Sequence, residues 1–498
     1  MDIELLLRAI AIYADYRVIA ALLLSTALGV TIGALPGLTT TMGVALLAGL
    51  IYGFQPQYTF SILMGIFVGG VYGGSISAIL LNIPGTPAAA ATALDGYQLA
   101  LKGEAERAIK ITRIASVIGT FLGCLLLIIF TPILARFALS FTSPEYFMLT
   151  LFGVLMCGCM TSEDLPIKGW ISGLIGILIS FVGLDIIEGV PRFTGGNFNL
   201  FSGISLIPAM IGLYAIPEII KVFQKNHVRR PIVQGISEQG HLTKIVVIIF
   251  RKIRLIVQSA LVGVGIGILP GVGEDVAAWV SYNTAQKTEK NEQFGQGAYG
   301  GIIAPEVASN AAIGGSLVPL LTLGIPGSPP GAILLGVIIL HGIRPGPMLG
   351  IENPGFMYEM FVLLFLSVFS LWCTASILAR PMIKMLTVPD KYLMPFVAAM
   401  SVIGGYAINL SRFDLLLVFL FGIVGYLMSC MKYPPAPVVL GIILGNIMDS
   451  RFRTTLLVSD GSLLPFVTRP ISLIFFILIL FFVLGSLRSY HTVKNFKE

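Results

Sequence analysis

Asn82-Ile83-Pro84-Gly85-Thr86-Pro87 lies in or beside a stretch that carries no Asp, Glu, Lys or Arg between Arg17 and Asp95. These residue types bind ligands with backbone groups and hydroxyls. Pro84 and Pro87 supply no N–H and break a helix, and Gly85 allows close approach or an unusual backbone angle. A helix that restarts here presents unpaired amides near residues 86–90, and the positive end of its dipole suits an anion. The carbonyls ending the preceding half, near residues 81–83, suit a small cation, and Asn82 adds an amide that needs partners when buried.

Three more breaks share this chemistry. Pro36-Gly37-Leu38-Thr39-Thr40-Thr41 places hydroxyls and helix-start amides together, and Pro270-Gly271-Val272-Gly273-Glu274-Asp275 places two carboxylates in the same position. Gly324, Pro326, Gly327, Ser328, Pro329 and Pro330 form the fourth. Ser75 lies about two helical turns upstream of the second break and Asn310 about four upstream of the fourth. The competing reading is that Pro-Gly pairs end helices at the membrane surface while Ser and Thr pack helices closely. Against it stand four such breaks, paired across the chain and set in uncharged surroundings. Intramembrane carboxylates such as Glu274, Asp275 and Glu306 are functional suspects for protons or cations, or else acids that complement a helix start. Asp95-Gly96, beside a basic loop, reads as a capped turn.

The elements that position these residues are membrane helices. The chain has 498 residues, 56% of them hydrophobic and 11% charged, with a mean hydropathy of +0.92; soluble domains carry roughly 25% charged residues. A second uncharged gap runs from Glu306 to Arg344. Apolar segments at about 18–54, 58–82, 88–101, 111–139, 145–161, 167–187, 203–222, 255–286, 299–323, 328–342, 356–380, 392–410, 415–430, 434–448 and 470–488, at about 20 residues per crossing, predict ten to fourteen helices, some broken. The start of the chain shows no basic stretch or small-residue cleavage site of a signal peptide. The net charge of +6 sits in connections between spans, which excludes a nucleic-acid groove as its explanation. Cys124, Cys157, Cys159, Cys373 and Cys430 lie in apolar surroundings and read as packing residues; with four scattered histidines they offer no transition-metal site.

Two halves are related. Gly33-Ala34-Leu35-Pro36-Gly37 recurs as Gly267-Ile268-Leu269-Pro270-Gly271, and GGSISAILLNIPGTP from Gly73 recurs as GGSLVPLLTLGIPGSP from Gly314. The expected organisation is a first membrane repeat at 1–222, a basic cytoplasmic linker at 223–254 and a second repeat with C-terminal helices at 255–498. From Lys221 through Arg254, both included, there are eight Lys or Arg and one acid, Glu238, the strongest positive-inside signal in the chain. The basic loop 102–113 has a counterpart near 343–355 with only Arg344, while the uncharged connection before the first unit corresponds to 287–298 with Lys287 and Lys290. This swap of charge predicts inverted topology.

The segments YGGSISAILLNIPGTPAAAATALDGYQLALKGEAERA, APEVASNAAIGGSLVPLLTLGIPGSPPGAILLGVIILHGIRPGPML and VPRFTGGNFNLFSGISLIPAMIGLYAIPE resemble the TctA family, the large membrane subunit of the tripartite tricarboxylate transporters. The likeness covers nearly the whole chain. It implies a bacterial inner-membrane permease for small carboxylates, an elevator-type motion of one domain past a scaffold, a small four-helix TctB-like membrane subunit and a periplasmic TctC-like solute-binding protein. Three departures fall beside the expected site: Gly273-Glu274-Asp275 where the family reads small and hydroxylated, Thr86 where it often has Glu, and Leu38-Thr39-Thr40-Thr41 where it often has G-P-T-T.

The expected protein is an all-α polytopic permease with no enzymatic constellation and no cofactor beyond sodium or a proton as coupling ion. Expected substrate-binding residues are Pro36, Gly37, Thr39, Thr40, Thr41, Ser75, Asn82, Gly85, Thr86, Gly271, Asn310, Gly327 and Ser328. Coupling-ion candidates are Asn82, Glu274, Asp275 and Asn310, with sodium near Asn82 and Asn310 or a proton on the acids. A channel and a transporter-like sensor are the rival readings.

Overall fold

The computed structural model describes residues 2–35, 38–162, 165–224, 242–385 and 390–495. The helices of the first half are α1 (Ile3–Tyr13), α2 (Tyr16–Ala34), α3 (Thr40–Leu50), α4 (Pro56–Leu81), α5 (Ala89–Leu101), α6 (Ala105–Ala138), α7 (Ser143–Thr161), α8 (Pro166–Ser180) and α9 (Leu206–Gln224). Those of the second are α10 (Leu242–Arg251), α11 (Ile253–Gly267), α12 (Gly273–Thr288), α13 (Tyr299–Leu323), α14 (Pro329–Leu340), α15 (Leu349–Glu352), α16 (Pro354–Met385), α17 (Asp390–Ala407), α18 (Arg412–Cys430), α19 (Ala436–Val458), α20 (Pro465–Thr468) and α21 (Pro470–Asn495). Between α8 and α9, β1 (Gly183–Leu184) pairs antiparallel with β2 (Pro191–Arg192), Gly183 opposite Arg192. Among the described residues, eight helices are long and apolar enough to cross a membrane, and several shorter apolar helices accompany them. The chain is an all-α, multi-pass membrane protein.

The apolar segment at 18–54 divides into α2 and α3, and that at 255–286 into α11 and α12, each at its Pro-Gly. The order of elements recurs: α2, break, α3, α4, break, α5, α6, and later α11, break, α12, α13, break, α14, α16. Both long central helices end on a residue in the left-handed region, Asn82 (φ 54°) after α4 and Gly324 (φ 70°) after α13. That conformation stops a helix and turns the chain. Of the expected linker, 242–251 folds as α10, and 225–241 lies outside the described residues.

Close backbone approach holds this core together, as expected where lipid removes the ordinary hydrophobic drive between helices. α4 lies along α2, and α13 lies between α6 and α11. A Cβ at Gly69 would stand 2.3 Å from the Thr26 carbonyl oxygen, and one at Gly314 would stand 2.2 Å from that of Gly123, so only glycine fits. A second group of helices, α19 on α7 and α8 and α9 on α17 and α18, meets this core through α3 and α14. Asp185, at the turn of the β-hairpin, accepts from Arg453 Nη1 (2.5 Å), and Arg192 reaches Asp449 (2.9 Å). These bonds fasten the 183–200 connection to α19.

Candidate functional site

The four breaks face one cavity of about 610 Å³, between the α2–α6/α11–α16 core and the second helical group. The core wall is made of helix starts: Thr39, Thr40 and Thr41 from α3, Thr86, Pro87 and Ala90 from α5, Glu274 and Asp275 from α12, and Pro329 from α14. The far wall comes from the end of α7 (Thr161, Ser162), from α9 (Tyr214, Pro217, Glu218, Lys221) and from the α18–α19 connection (Lys432, Tyr433).

Local geometry explains how the breaks hold their shape. Gly85 packs on the end of α2, where an added Cβ would meet the Gly33 carbonyl oxygen at 1.8 Å. Gly327 packs on the end of α11, where the same addition would meet the Gly267 carbonyl oxygen at 2.2 Å. The two breaks therefore use the same contact at matching positions. Gly271 adopts φ +70°, and its amide donates to the Pro326 carbonyl (3.1 Å), tying the third break to the fourth. Thr39 caps α3 by accepting from the Met42 amide (3.1 Å), and Ser328 caps α14 by accepting from the Gly331 amide (3.2 Å). Such caps satisfy helix-start donors that lack an intrahelical partner.

The start of α5 is met differently. No side chain of its own caps it; the Ala88 amide donates to Asp275 Oδ1 at 3.0 Å. The carboxylate comes from the other half of the chain and occupies the place where a free ligand seat was expected. At the matching position α14 has Pro330, which has no N–H, and α3 has Thr41 in place of Asp275. Carboxylate and amide thus occur together on one side of the pseudo-repeat and are both missing on the other. Beside Asp275, Glu274 is buried and its Oε2 has no partner; the same is true of the hydroxyls of Thr40 and Thr86, and of the Tyr214 hydroxyl on the far wall.

These observations sort the expected residues. Thr39, Thr40, Thr41, Thr86, Glu274 and Asp275 line the cavity. Gly85, Gly271, Gly327 and Ser328 shape the breaks without lining it. Pro36 and Gly37 lie outside the described residues. Ser75, Asn82 and Asn310 stand away from the cavity. Asn82 is exposed, contrary to the expectation of a buried amide, because it is the helix-ending residue itself. Asn310 is buried and donates to the Glu306 carbonyl (2.9 Å), and its Oδ1 accepts from Thr120 (3.4 Å). Ser75 donates to the Glu306 carboxylate, which also accepts from Thr92 (2.7 Å) and Ser116 (2.8 Å). Glu306 therefore joins α4, α5 and α6 to α13 inside the core.

Asp95, expected as a capped turn, is fully buried and accepts from Tyr282 Oη (2.9 Å) and from the amides of Gly295, Gly297 and Ala298 (each 2.8 Å). α5 is thus held to the second half by carboxylate contacts at 88, 92 and 95. Sequence reasoning missed the far wall. Its signal was Pro217 inside an apolar helix that ends in Glu218 and Lys221, which pair at 2.8 Å.

Residues 19–440 match the model of the Tripartite tricarboxylate transporter TctA family. The chain belongs to that family. A relative from Agrobacterium vitis, described as an uncharacterized 52.8 kDa protein in the TAR-I ttuC' 3' region, is 35% identical over 453 residues, covering 89% of this chain and 88% of the relative. A second A. vitis protein, described as uncharacterized in the TAR-II ttuC' 3' region, is 36% identical over 208 residues, 42% of this chain and 86% of its own length. No solved structure matches the chain. TctA proteins are permeases of tripartite tricarboxylate transporters, a transporter family and not an enzyme family. No cluster of three or more His, Cys, Asp or Glu suited to a metal occurs among the described residues.

Proposed function

We propose that this chain is the permease subunit of a cation-coupled secondary transporter that imports small carboxylates across the bacterial inner membrane. In this reading a TctC-like periplasmic solute-binding protein delivers the substrate, and a small four-helix TctB-like subunit completes the membrane complex. The observation that carries it is the convergence of four helix starts on one cavity between two helical groups, since discontinuous helices at matching positions of two repeats mark transporter sites. The two halves, 1–222 and 255–498, are related by inversion, and the α2–α6/α11–α16 core moves past the second group in the elevator manner.

The substrate carboxylate sits on the amides at the start of α3 and on the hydroxyls of Thr39 to Thr41 and Thr86, beside the α5 start that Asp275 already occupies, and faces Lys221 across the cavity. Glu274 and Asp275 make the core wall acidic, so an anion enters only with a cation or proton that offsets them. Cation coupling follows from that electrostatic condition, and specificity among carboxylates rests largely with the binding protein.

Uptake by proteoliposomes that hold the chain, its small membrane partner and the binding protein tests the reading. A panel of radiolabelled carboxylates is offered under an imposed sodium gradient and then under a proton gradient. The expected result is uptake that requires one gradient and the binding protein, and that is lost in Thr86→Ala. Uptake insensitive to both gradients, or flux far above carrier rates, would replace the symporter with a channel. Ligand binding without flux would indicate a sensor.

A further inference from the structure

The bend between α10 and α11 is a part of the molecule that the cavity does not use. Lys252 joins the two helices at φ −101° and ψ 18°, and its amide donates to the Ile249 carbonyl (3.0 Å), so the helix faces run on with little interruption. Ile245, Ile249, Ile256 and Ala260 are buried, where α10 packs on α6 and α11 on α6 and α13. Val246, Phe250, Ile253, Val257 and Leu261 are 41–70% exposed. Their spacing of three or four residues makes one continuous apolar stripe. Arg251 and Arg254 stand exposed at the middle of that stripe. Lys252 pairs with Glu289 and Glu292 and neutralises those carboxylates, whereas neither arginine has a hydrogen-bond or ion-pair partner among the described residues. We infer that this bend is a docking site for an anionic phospholipid of the cytoplasmic leaflet, with both arginines on the headgroup phosphate and the stripe on the acyl chains.

Side, depth and charge identify the occupant. The basic run that ends at Arg254 is the strongest positive-inside signal in the chain, which puts the bend in the cytoplasmic half of the membrane. With the third break at mid-depth, as in broken-helix transporters, the rise from Arg254 to Gly267 of about 20 Å carries the guanidinium groups past a hydrocarbon half-thickness of about 15 Å and into the headgroup layer. That placement rests on the transporter reading above; the stripe and the free arginines do not. Val257 and Leu261 then face lipid below the headgroups. α10, apolar along one side and basic at its end, has the pattern of a helix lying in the boundary. Guanidinium groups match a phosphate with paired donors, and clustered basic residues at this level favour an anionic leaflet. α1, which holds the corresponding place before the first break, shows the contrast. It also exposes Ile3, Leu7 and Ile10, but Asp2, Glu4 and Asp15 accompany its one basic residue, Arg8, so its charge disfavours the headgroup that the α10 bend attracts.

The test is native mass spectrometry of the purified full-length chain in a neutral detergent, titrated with an equimolar mixture of phosphatidylglycerol and phosphatidylcholine. Preferential retention of phosphatidylglycerol is expected in the unsubstituted protein. Arg251→Gln and Arg254→Gln should each lower its apparent affinity about fivefold, and together about 25-fold, with phosphatidylcholine unchanged. Lysine at both positions, which keeps the charge and loses the paired donors, should fall between. Phe250→Ser should weaken both lipids, and Arg8→Gln, on α1, should change neither. Gel filtration and the melting profile verify that each variant is folded. Equal retention of the two lipids by the unsubstituted protein, or unchanged phosphatidylglycerol retention in the double glutamine variant, would overturn the site. So would an equal loss in Arg8→Gln, since the effect would then follow net charge alone. A double variant that keeps its lipid and loses the small membrane subunit would assign the face to a protein instead. Lipid binding as expected with no carboxylate uptake would refute the proposed function and leave the site standing; uptake without the lipid preference would do the reverse.

Discussion

Gly85→Ala is the sharpest test of how the break is built. A Cβ at this position would stand 1.8 Å from the Gly33 carbonyl oxygen, where ordinary contact begins near 3.4 Å. The break and the end of α2 must part by the difference, about 1.6 Å, and both sides of the contact are backbone. Overpacking of this kind costs about 1–3 kcal/mol. For a chain of 498 residues that lowers the melting temperature by roughly 1 °C per kcal/mol, a small shift. The functional effect should be larger. Thr86 follows Gly85 directly, and a misplacement of about 1 Å in a pre-organised site costs on the order of 100-fold. We expect carboxylate uptake in proteoliposomes to fall by about that factor, with a melting shift of a few degrees. Gly265→Ala is the control, since nothing lies within 4 Å of its added Cβ, and it should be neutral. Wild-type uptake and melting in Gly85→Ala would refute the close-approach argument. Gly327→Ala, facing the Gly267 carbonyl at 2.2 Å, should repeat the defect.

Asp275→Ala removes the acceptor of the Ala88 amide and should cost about 1.5–3 kcal/mol, read as a lower melting temperature, while Asp275→Asn, which keeps an acceptor oxygen, should recover most of it. Glu306→Leu strands the hydroxyls of Ser75, Thr92 and Ser116 and should sharply reduce the yield of folded protein in membranes, with Glu306→Gln intermediate. Asp95→Ala unties the 295–298 amides from α5 and should expose that loop to protease, where Asp95→Asn protects. The hydrogen bond from Arg453, helped by the amides of Ile187 and Glu188, lowers the Asp185 carboxyl from 3.8 to about 2. The folded value is depressed, so its contribution is fully present above about 3.8 and lost as pH falls through about 2. Protease cleavage of the 183–200 connection should rise across that window in the wild type and be high and pH-independent in Asp185→Asn.

Much of the architecture was legible because a membrane leaves few choices. Long uncharged apolar runs must become helices, since hydrocarbon offers backbone groups no other partner. Pro-Gly within such a run must break one, and all four breaks occur where the residue types require. Single polar residues were less legible. Ser75, Asn82, Asn310 and Glu306 share polarity and proximity to a break with Thr40, Thr86 and Glu274, yet one is a helix end and the others face neighbouring helices. Composition within a helix does not reveal which side of it meets a cavity, because that depends on how other helices pack around it.

The sequence by itself determined the class, the paired breaks, the family likeness and the acidic departure at Glu274-Asp275, all of which follow from local residue chemistry and repetition. Only the tertiary structure decided that Asp275 sits on the start of α5, that Glu306 and Asp95 bind one half to the other, and that α7, α9 and the α18–α19 connection close the far wall. Each of these joins residues about 190 or more positions apart or separate helical groups, and such pairings are set by the packing of helices whose own sequences record no partner.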